Sequence, residues 1–328
     1  MNILVIGLGS MGKRRIRLLK RSFAPTLLAG VDNREDRRTY CANEYGIITY
    51  SSIEEAFSIN NFDCAFICTA PLTHNSIIKE CLLRDVHVFS ELNLINDGYD
   101  ENIKLAKEHN KILFLSSTAF YRKEMQHIIR NVQNAKGLVN YTYHVGQYLK
   151  DWHPWESIED FFVSNEKTNG CREILAIELP WLIKAFGRIL DIKVISNKIS
   201  KLNINYNDNY SILFKHEKGN SGVVVVDVVC REAIRNFLAY GEQIFIKWDG
   251  TPSTLYQKNL STGEMEQKNF YDNIDKLDGY SSNIIENHYL EEINEFIDVI
   301  KGKADISYGF EEDKYTLNII DQIEKVGM

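Results

Sequence analysis

The 328-residue sequence lacks three features that would each assign it to a broad class of protein. No run approaches twenty uninterrupted apolar residues, so we expect no transmembrane helix. Positive charge is not in excess: the formal net charge is −7, whereas a surface that binds nucleic acid needs a basic face. The N-terminus has no basic segment followed by an apolar core and a cleavage site, which argues against secretion. We therefore expect a cytoplasmic protein with no membrane and no nucleic-acid partner.

Cysteine is present, but its spacing does not suggest a metal site or a disulfide framework. No two of the cysteines have the spacing of a zinc site, and disulfides are unusual in a cytosolic chain of this length. We expect reduced thiols and no bound metal. The remaining composition, with 44% hydrophobic and 25% charged residues, is that of a globular protein long enough for two domains.

The most informative feature is a glycine-rich turn directly after the first apolar run, Asn2–Ile6. Gly7 permits a tight turn, Gly9 lets the backbone approach phosphates, and Gly12 lets the following helix pack closely. Backbone N–H groups at the start of that helix then hold the anion. The predicted pyrophosphate cradle consists of Gly7, Gly9, Ser10, Met11 and Gly12. A purely structural glycine turn is the alternative.

A carboxylate follows the second predicted strand, Leu27–Val31. Asp32 stands about twenty residues after Gly12, where a carboxylate accepts a hydrogen bond from a ribose hydroxyl. The same carboxylate would repel a 2′-phosphate, so the sequence predicts NAD as the cofactor. Arg34 is a possible partner for such a phosphate and leaves NADP open.

Alternating strands and helices predict a doubly wound α/β (Rossmann) domain over residues 1–120. Its near-continuous apolar runs are typical of strands buried on both faces of a parallel sheet. The predicted strands are Asn2–Ile6, Leu27–Val31, Asp63–Cys68, Val86–Ser90 and Ile112–Ser116. The predicted helices are Gly12–Arg21, Arg34–Tyr45, Ile53–Ile59, His74–Leu83 and Gly98–His109.

Residues 121–328 have a different pattern, which predicts an α+β domain with a mostly antiparallel open sheet. Alternating strands separated by turn sequences run from Ile192 to about Gln257. A further long strand is predicted at Leu138–Leu149. The predicted helices are Lys123–Gln133, Leu175–Phe186, Tyr289–Lys301 and Glu311–Lys325, the last two packing back toward the first domain.

Several motifs in the same order make the sequence similar to the Gfo/Idh/MocA oxidoreductases. They are the glycine turn, Cys68-Thr69-Ala70-Pro71-Leu72-Thr73-His74, Val86-His87-Val88-Phe89-Ser90-Glu91, and the segment from Gly146 to Trp155. The last segment resembles one found in members associated with surface-sugar and polysaccharide biosynthesis. The resemblance covers nearly the whole chain.

The resemblance implies an NAD(P)-dependent oxidation or reduction of a sugar, nucleotide-sugar or cyclitol. It also implies a homodimer or homotetramer assembled through the exposed face of the second domain's sheet. In the first domain it adds four residues to the predicted cofactor site: Thr69, Pro71, His74 and Glu91.

The family's usual catalytic residues are replaced in this sequence. The Glu-Lys-Pro triplet is Glu91-Leu92-Asn93, so the lysine is absent. In the helix that usually carries the acid–base histidine and its supporting aspartate, Ile177 and Pro180 stand at those positions. Transfer of a hydride at an alcohol carbon needs a group that takes or gives the hydroxyl proton, and none of these replacements can do so.

The remaining polar residues supply the candidates for the chemistry. Glu178 is a candidate acid or base; alternatively it hydrogen-bonds to Arg172 or to backbone and only shapes the site. Tyr148 and His153 are further catalytic candidates within the aromatic segment after the long strand. The predicted substrate-binding residues are Trp152 and Trp155, which would stack on a sugar or a base, and Arg172, which would meet a phosphate or carboxylate.

These observations favour an NAD-dependent sugar or nucleotide-sugar oxidoreductase with a non-standard acid–base set. Two alternatives remain. One is a non-catalytic member that binds nucleotide or sugar and acts as a partner or regulator. The other is an enzyme that uses tightly bound NAD in a redox-neutral elimination or epimerisation.

Overall fold

A computed structural model describes residues 1–152, 157–276 and 284–327 of the protein. The chain divides into two compact units. The first contains Met1–Ser117 and Leu290–Lys314, and the second contains Thr118–Tyr289 and Tyr315–Met328. None of the helices in the described ranges is long and apolar enough to cross a membrane.

The first unit is a parallel sheet with helices between its strands. The strands are β1 (Asn2–Ile6), β2 (Leu27–Val31), β3 (Ile48–Tyr50), β4 (Cys64–Ile67), β5 (His87–Ser90) and β6 (Leu113–Leu115). The helices are α1 (Ser10–Phe23), α2 (Glu35–Tyr45), α3 (Ile53–Ile59), α4 (Pro71–Leu83) and α5 (Tyr99–Glu108). The strand order is β3-β2-β1-β4-β5-β6. From β1 the chain adds β2 and β3 on one side and then β4 to β6 on the other, so a topological switch point lies between β1 and β4. Doubly wound sheets bind their ligands at such a switch point.

The core of this unit is apolar on both faces of the sheet, as the continuous apolar strands require. Phe66, Phe89 and Phe114 stack in neighbouring strands, with ring centroids 4.7 and 5.2 Å apart. Phe296, from helix α8 (Glu286–Ile300), packs against all three rings. The predicted α/β fold with a parallel sheet is confirmed; the short edge strand β3, whose Ile48 is exposed, was not predicted.

The second unit is built on a larger sheet with the order β14-β13-β12-β11-β7-β10-β9-β8. Its strands are β7 (Asn140–Gly146), β8 (Ile189–Asn197), β9 (Asn209–His216), β10 (Ser221–Asp227), β11 (Ile234–Gly241), β12 (Ile244–Trp248), β13 (Leu255–Lys258) and β14 (Met265–Gln267). The β7–β10 pair is parallel and the other pairs are antiparallel. The predicted, mostly antiparallel sheet is therefore confirmed.

Helices α6 (Lys123–Asn134), α7 (Gly170–Phe186) and α9 (Phe310–Val326) complete the elements. Helix α7 begins five residues before its predicted start. Asn169 is the reason: its side-chain oxygen accepts a hydrogen bond from Arg172 N at 2.7 Å and caps the first turn. Pro180 lies inside this helix.

Candidate functional site

The glycine turn between β1 and α1 is closed tightly by backbone contacts. Gly7 has φ +92°, which favours glycine, and its N–H donates to Val31 O at 2.8 Å. A Cβ on Gly7 would lie 2.7 Å from Cys68 O, and one on Gly12 would lie 1.9 Å from Gly7 O. Any side chain at these two positions would therefore force the strand, turn and helix apart.

Gly9 differs from Gly7 and Gly12, because no protein atom lies close to the position that a Cβ on Gly9 would occupy. The nearest heavy atom to a Cβ at this position would be Arg37 Nη1, at 3.7 Å. Gly9 is also the N-cap of α1, and no side chain caps that helix. The first-turn N–H groups of a helix have no acceptor within the helix, and an anion at the helix start is their usual partner. A pyrophosphate fits this cradle.

Asp32 lies at the carboxyl end of β2, beside the cradle, and is only 6% exposed. One carboxylate oxygen accepts from Leu8 N at 2.8 Å and the other from Arg34 N at 2.9 Å. Arg37 Nη1 lies 3.5 Å from the carboxylate, whereas the Arg34 guanidinium forms an exposed pair with Asp36. Asp32 therefore ties the glycine turn to β2 and keeps a fixed negative charge beside it.

The loop after β4 is held by a buried histidine. His74 Nε2 lies 2.9 Å from Thr69 O, and Nδ1 lies 2.6 Å from Asn93 Oδ1. Burial lowers the pKa of His74, which favours the neutral ring. Pro71 is the first residue of α4. Since both ring nitrogens contact protein atoms, the geometry supports His74 holding this loop, and its predicted contact with the cofactor stays a prediction.

Glu91 belongs to a buried ion network of the first unit. Its carboxylate accepts from Arg15 Nε at 2.6 Å, and Arg15 Nη2 lies 2.6 Å from Glu292. Glu292 also accepts from Ser117 N at 2.7 Å. Burial raises the pKa of Glu292, and the Arg15 guanidinium opposes that shift. The side chain of Glu91 is thus placed to fix β5 against α1 and α8, and its predicted contact with the cofactor stays a prediction.

In the second unit, Glu178 lies at the centre of a hydrogen-bonded cluster. One carboxylate oxygen accepts from Tyr143 Oη and from Trp181 Nε1, each at 2.7 Å, and the other pairs with Arg235. Glu178 is 1% exposed. A carboxylate held by three donors is well suited to stabilise the charge of Arg235 and poorly suited to exchange a proton with a substrate. The geometry supports a structural role for Glu178, and its role as acid or base stays a prediction.

Arg172 is also engaged by the protein. Its guanidinium pairs with Asp321 at 2.6 Å and with Glu324, both on α9, and the residue is 5% exposed. These contacts join α7 to α9, and the contact of Arg172 with substrate stays a prediction. Tyr148 and Trp152 lie in the loop after β7, where Trp152 Nε1 donates to Gln147 O. His153 and Trp155 lie outside the described residues.

A comparison with protein-family models identifies the first unit. Residues 1–117 match the model GFO_IDH_MocA, described as an oxidoreductase family with an NAD-binding Rossmann fold. This match covers about a third of the chain. The match confirms the predicted NAD-binding domain. The open space beside Gly9 and the carboxylate of Asp32 are the features of this domain that fit a dinucleotide.

Two curated relatives match parts of the chain. Inositol 2-dehydrogenase of Renibacterium salmoninarum is 32% identical over 99 residues, which are 30% of either protein. Myo-inositol 2-dehydrogenase of Thermotoga maritima is 29% identical over 137 residues, 41% of either protein. The chain thus spans less than half the length of these relatives.

Solved structures match over the full length at low identity. The WlbA dehydrogenase from Bordetella pertussis, solved with NADH and UDP-GlcNAcA, has a TM-score of 0.76 and 12% identity. The match covers 100% of this chain and 96% of that one. It shows that both units have the arrangement of strands and helices found in this dehydrogenase fold.

One candidate residue of the second unit was missed by the sequence analysis. Glu173 is in the first turn of α7, one turn before Ile177, and these two residues share the helix face that is not fully buried. Its Oε2 atom is enclosed and has no hydrogen-bond partner among the described residues. Burial raises the pKa of Glu173 to about 7. No motif marks this residue, because its property arises from burial.

Proposed function

We propose that this protein is an NAD-dependent oxidoreductase that acts on a hydroxyl group of a sugar or nucleotide-sugar, in the biosynthesis of a surface polysaccharide or glycan. The observation that carries the proposal is the cradle, where a Cβ is impossible at Gly7 and Gly12 while the space beside Gly9 stays open. Residues of this cradle would hold the pyrophosphate, and Asp32 would accept from a ribose hydroxyl. NAD, when bound, supplies a hydride acceptor.

The proton must be handled by the protein, and Glu173 is the carboxylate proposed for this step. A general base works best when its pKa is near the working pH, and burial brings Glu173 to about 7. Its enclosed oxygen has no competing donor in the described part of the second unit. The catalytic candidates from the sequence, Glu178, His153 and Tyr148, remain predictions; for Glu178 the three donors argue for a structural role.

The proposed substrate class rests on the relatives. The two curated relatives are inositol dehydrogenases, and WlbA was solved with a nucleotide-sugar. A sugar or cyclitol ring with secondary hydroxyl groups is common to these ligands.

We also propose that the protein forms a homodimer or homotetramer through the open face of the larger sheet. On this face Leu213 of β9 pairs with Val223 of β10, and both are exposed, by 53% and 39%. Ile195 of β8 is 75% exposed. Apolar residues in adjacent exposed positions are typical of surfaces that bind another protein.

The alternative is a non-catalytic partner or regulator, favoured by Leu92, Ile177 and Pro180 at the usual catalytic positions. A two-stage experiment separates the proposals. After removal of carried-over nucleotide, NAD(H) and NADP(H) are titrated by calorimetry, and sugars and nucleotide-sugars are then screened for change in nicotinamide absorbance. Micromolar NAD(H) affinity with stoichiometric NADH formation supports the oxidoreductase. Binding and product formation without net NADH supports the redox-neutral enzyme, and binding without any turnover supports the partner.

A further inference from the structure

An arginine lies over a tyrosine ring at one end of the larger sheet. The guanidinium carbon of Arg231 is 3.8 Å from the ring centroid of Tyr148, a cation–π contact. Tyr148 follows β7, and Arg231 lies between β10 and β11. Leu149 N donates to Val228 O at 2.9 Å and joins the two loops, and Leu149 itself is buried. The backbone next to Tyr148 is therefore tied to the loop that carries Arg231.

Asp227 fixes the turn that carries Arg231. One of its carboxylate oxygens accepts from Val229 N at 2.9 Å and from Cys230 N at 2.7 Å, and the other lies 2.7 Å from His144 Nε2. Gly146 makes room for this carboxylate, since a Cβ there would lie 2.4 Å from an oxygen of Asp227. The glycine that opens the Gly146–Trp155 segment thus has a structural role in placing Arg231.

Within the described ranges, no acidic group pairs with the Arg231 guanidinium. Arg231 is exposed, and no ion pair or hydrogen bond to its side chain occurs among the residues that the structure describes, although Glu232 follows it directly and Asp151 is three residues after Tyr148. Stacking on a ring leaves the in-plane N–H donors of arginine directed outward, in the fork that matches phosphate or carboxylate oxygens. Because the ring already restrains the side chain, little further entropy is lost on binding.

We infer that Arg231 and Tyr148 form an anion-binding subsite for the phosphate or carboxylate of an acidic sugar substrate. The inference rests on the proposed function and narrows it to anionic substrates. The first residue of α7 packs against the same loops: a Cβ on Gly170 would lie 2.9 Å from Val228 and 3.3 Å from Leu149. The subsite is therefore next to the helix start that carries Glu173, and Tyr148 acts through its ring, as support for Arg231.

The test measures binding to the full-length protein saturated with NADH, so that phosphate cannot occupy the glycine cradle. The probes are UDP-N-acetylglucosamine against N-acetylglucosamine, and glucuronate against glucose. Wild type binds at least one acidic probe more tightly than its neutral counterpart, and Arg231→Gln removes about 10- to 100-fold of that difference. Arg188→Gln is the matched control, because Arg188 also stacks on a tyrosine ring, that of Tyr315, at 4.1 Å. We expect this variant to bind all the probes as wild type does.

Two variants of Tyr148 separate ring support from proton transfer. Tyr148→Phe keeps the preference for the acidic probe, whereas Tyr148→Leu loses most of it, with melting temperatures checked for each. Preference for the nucleotide-sugar identifies the anion as phosphate, and preference for glucuronate identifies a carboxylate. The inference is overturned if wild type does not discriminate, or if Arg231→Gln and Arg188→Gln behave alike. Failure to bind NADH would instead contradict the proposed function.

Discussion

Gly12 lies so close to Gly7 that a Cβ on Gly12 would be 1.9 Å from the Gly7 carbonyl oxygen. Gly9, between them, would bring its Cβ no closer than 3.7 Å to any heavy atom outside its chain neighbours. Gly12 is thus required for folding, while Gly9 keeps space free for a ligand. This difference allows the two roles to be separated experimentally.

We expect Gly12→Ala to lower the free energy of unfolding by about 1–3 kcal/mol, because the added methyl group must displace backbone. Gly9→Ala should leave the melting temperature close to that of wild type and still weaken NADH binding at least about tenfold, because the methyl group occupies the space of the phosphates. Thermal melting and calorimetry measure the two effects. Normal NADH affinity in Gly9→Ala would show that the open space is not the pyrophosphate site.

Asp32 predicts the choice between NAD and NADP. We expect Asp32→Ser to raise the NADPH-to-NADH affinity ratio at least about tenfold, because a negative charge that repels a 2′-phosphate is removed. Arg34 and Arg37 then remain as positive partners close to the site. Asp36→Asn, which only breaks the exposed pair with Arg34, serves as the control. An unchanged ratio in Asp32→Ser would assign cofactor selectivity to other residues.

The sequence predicts the elements of this fold better than it predicts the partners of its polar residues. Strands β1 and β2 have the predicted bounds, because continuous apolar runs that end at glycine or aspartate are unambiguous. The edge strand β3 was not predicted, because its exposed Ile48 does not fit the pattern of a continuous buried apolar run. The ion pair of Arg172 with Glu324, which lies 152 residues further along the chain, was not predicted. Pairings of this kind depend on tertiary packing and have no local pattern.

Glu178 should be important for stability. We expect Glu178→Gln to lower the free energy of unfolding by about 3–5 kcal/mol, because the partly buried Arg235 loses its counter-charge. Urea denaturation measures the change. A second substitution, Arg235→Met, should recover much of the loss, since it removes the unpaired charge. If Glu178→Gln has wild-type stability and greatly reduced turnover, the carboxylate belongs to the chemistry after all.

The open face of the larger sheet can be tested by charge. We expect Leu213→Glu to reduce the oligomer to a smaller species, because a carboxylate at a 53% exposed apolar position would be buried in the contact. Light scattering coupled to gel filtration measures the mass. Ile59→Glu, at an exposed apolar residue of the first unit, should leave the mass unchanged. A monomeric wild type, or an unaltered mass in Leu213→Glu, would contradict the proposed interface.

Glu173 has a pKa that makes its contribution to stability depend on pH. Its ordinary pKa is 4.5, and burial raises it to about 7 in the folded protein. Below pH 4.5 the carboxyl group is protonated in both the folded and the unfolded state, so its burial does not lower the free energy of unfolding there. As the pH rises toward 7 and above, the unfolded state loses the proton more readily, and stability is lost. We expect Glu173→Gln to match wild type near pH 4.5 and to exceed its stability at pH 8 by about 1–3 kcal/mol.

The same variant tests the acid–base proposal through activity. If Glu173 takes the hydroxyl proton, wild-type kcat/KM should rise through an ionisation near pH 7, and Glu173→Gln should lose that ionisation together with about two to four orders of magnitude in kcat/KM. NADH affinity should stay unchanged, because the cradle lies in the other unit. A stabilised variant with full activity would mean that Glu173 is buried and shifted without serving catalysis, and the proton would then have to be taken by another group, such as Tyr148.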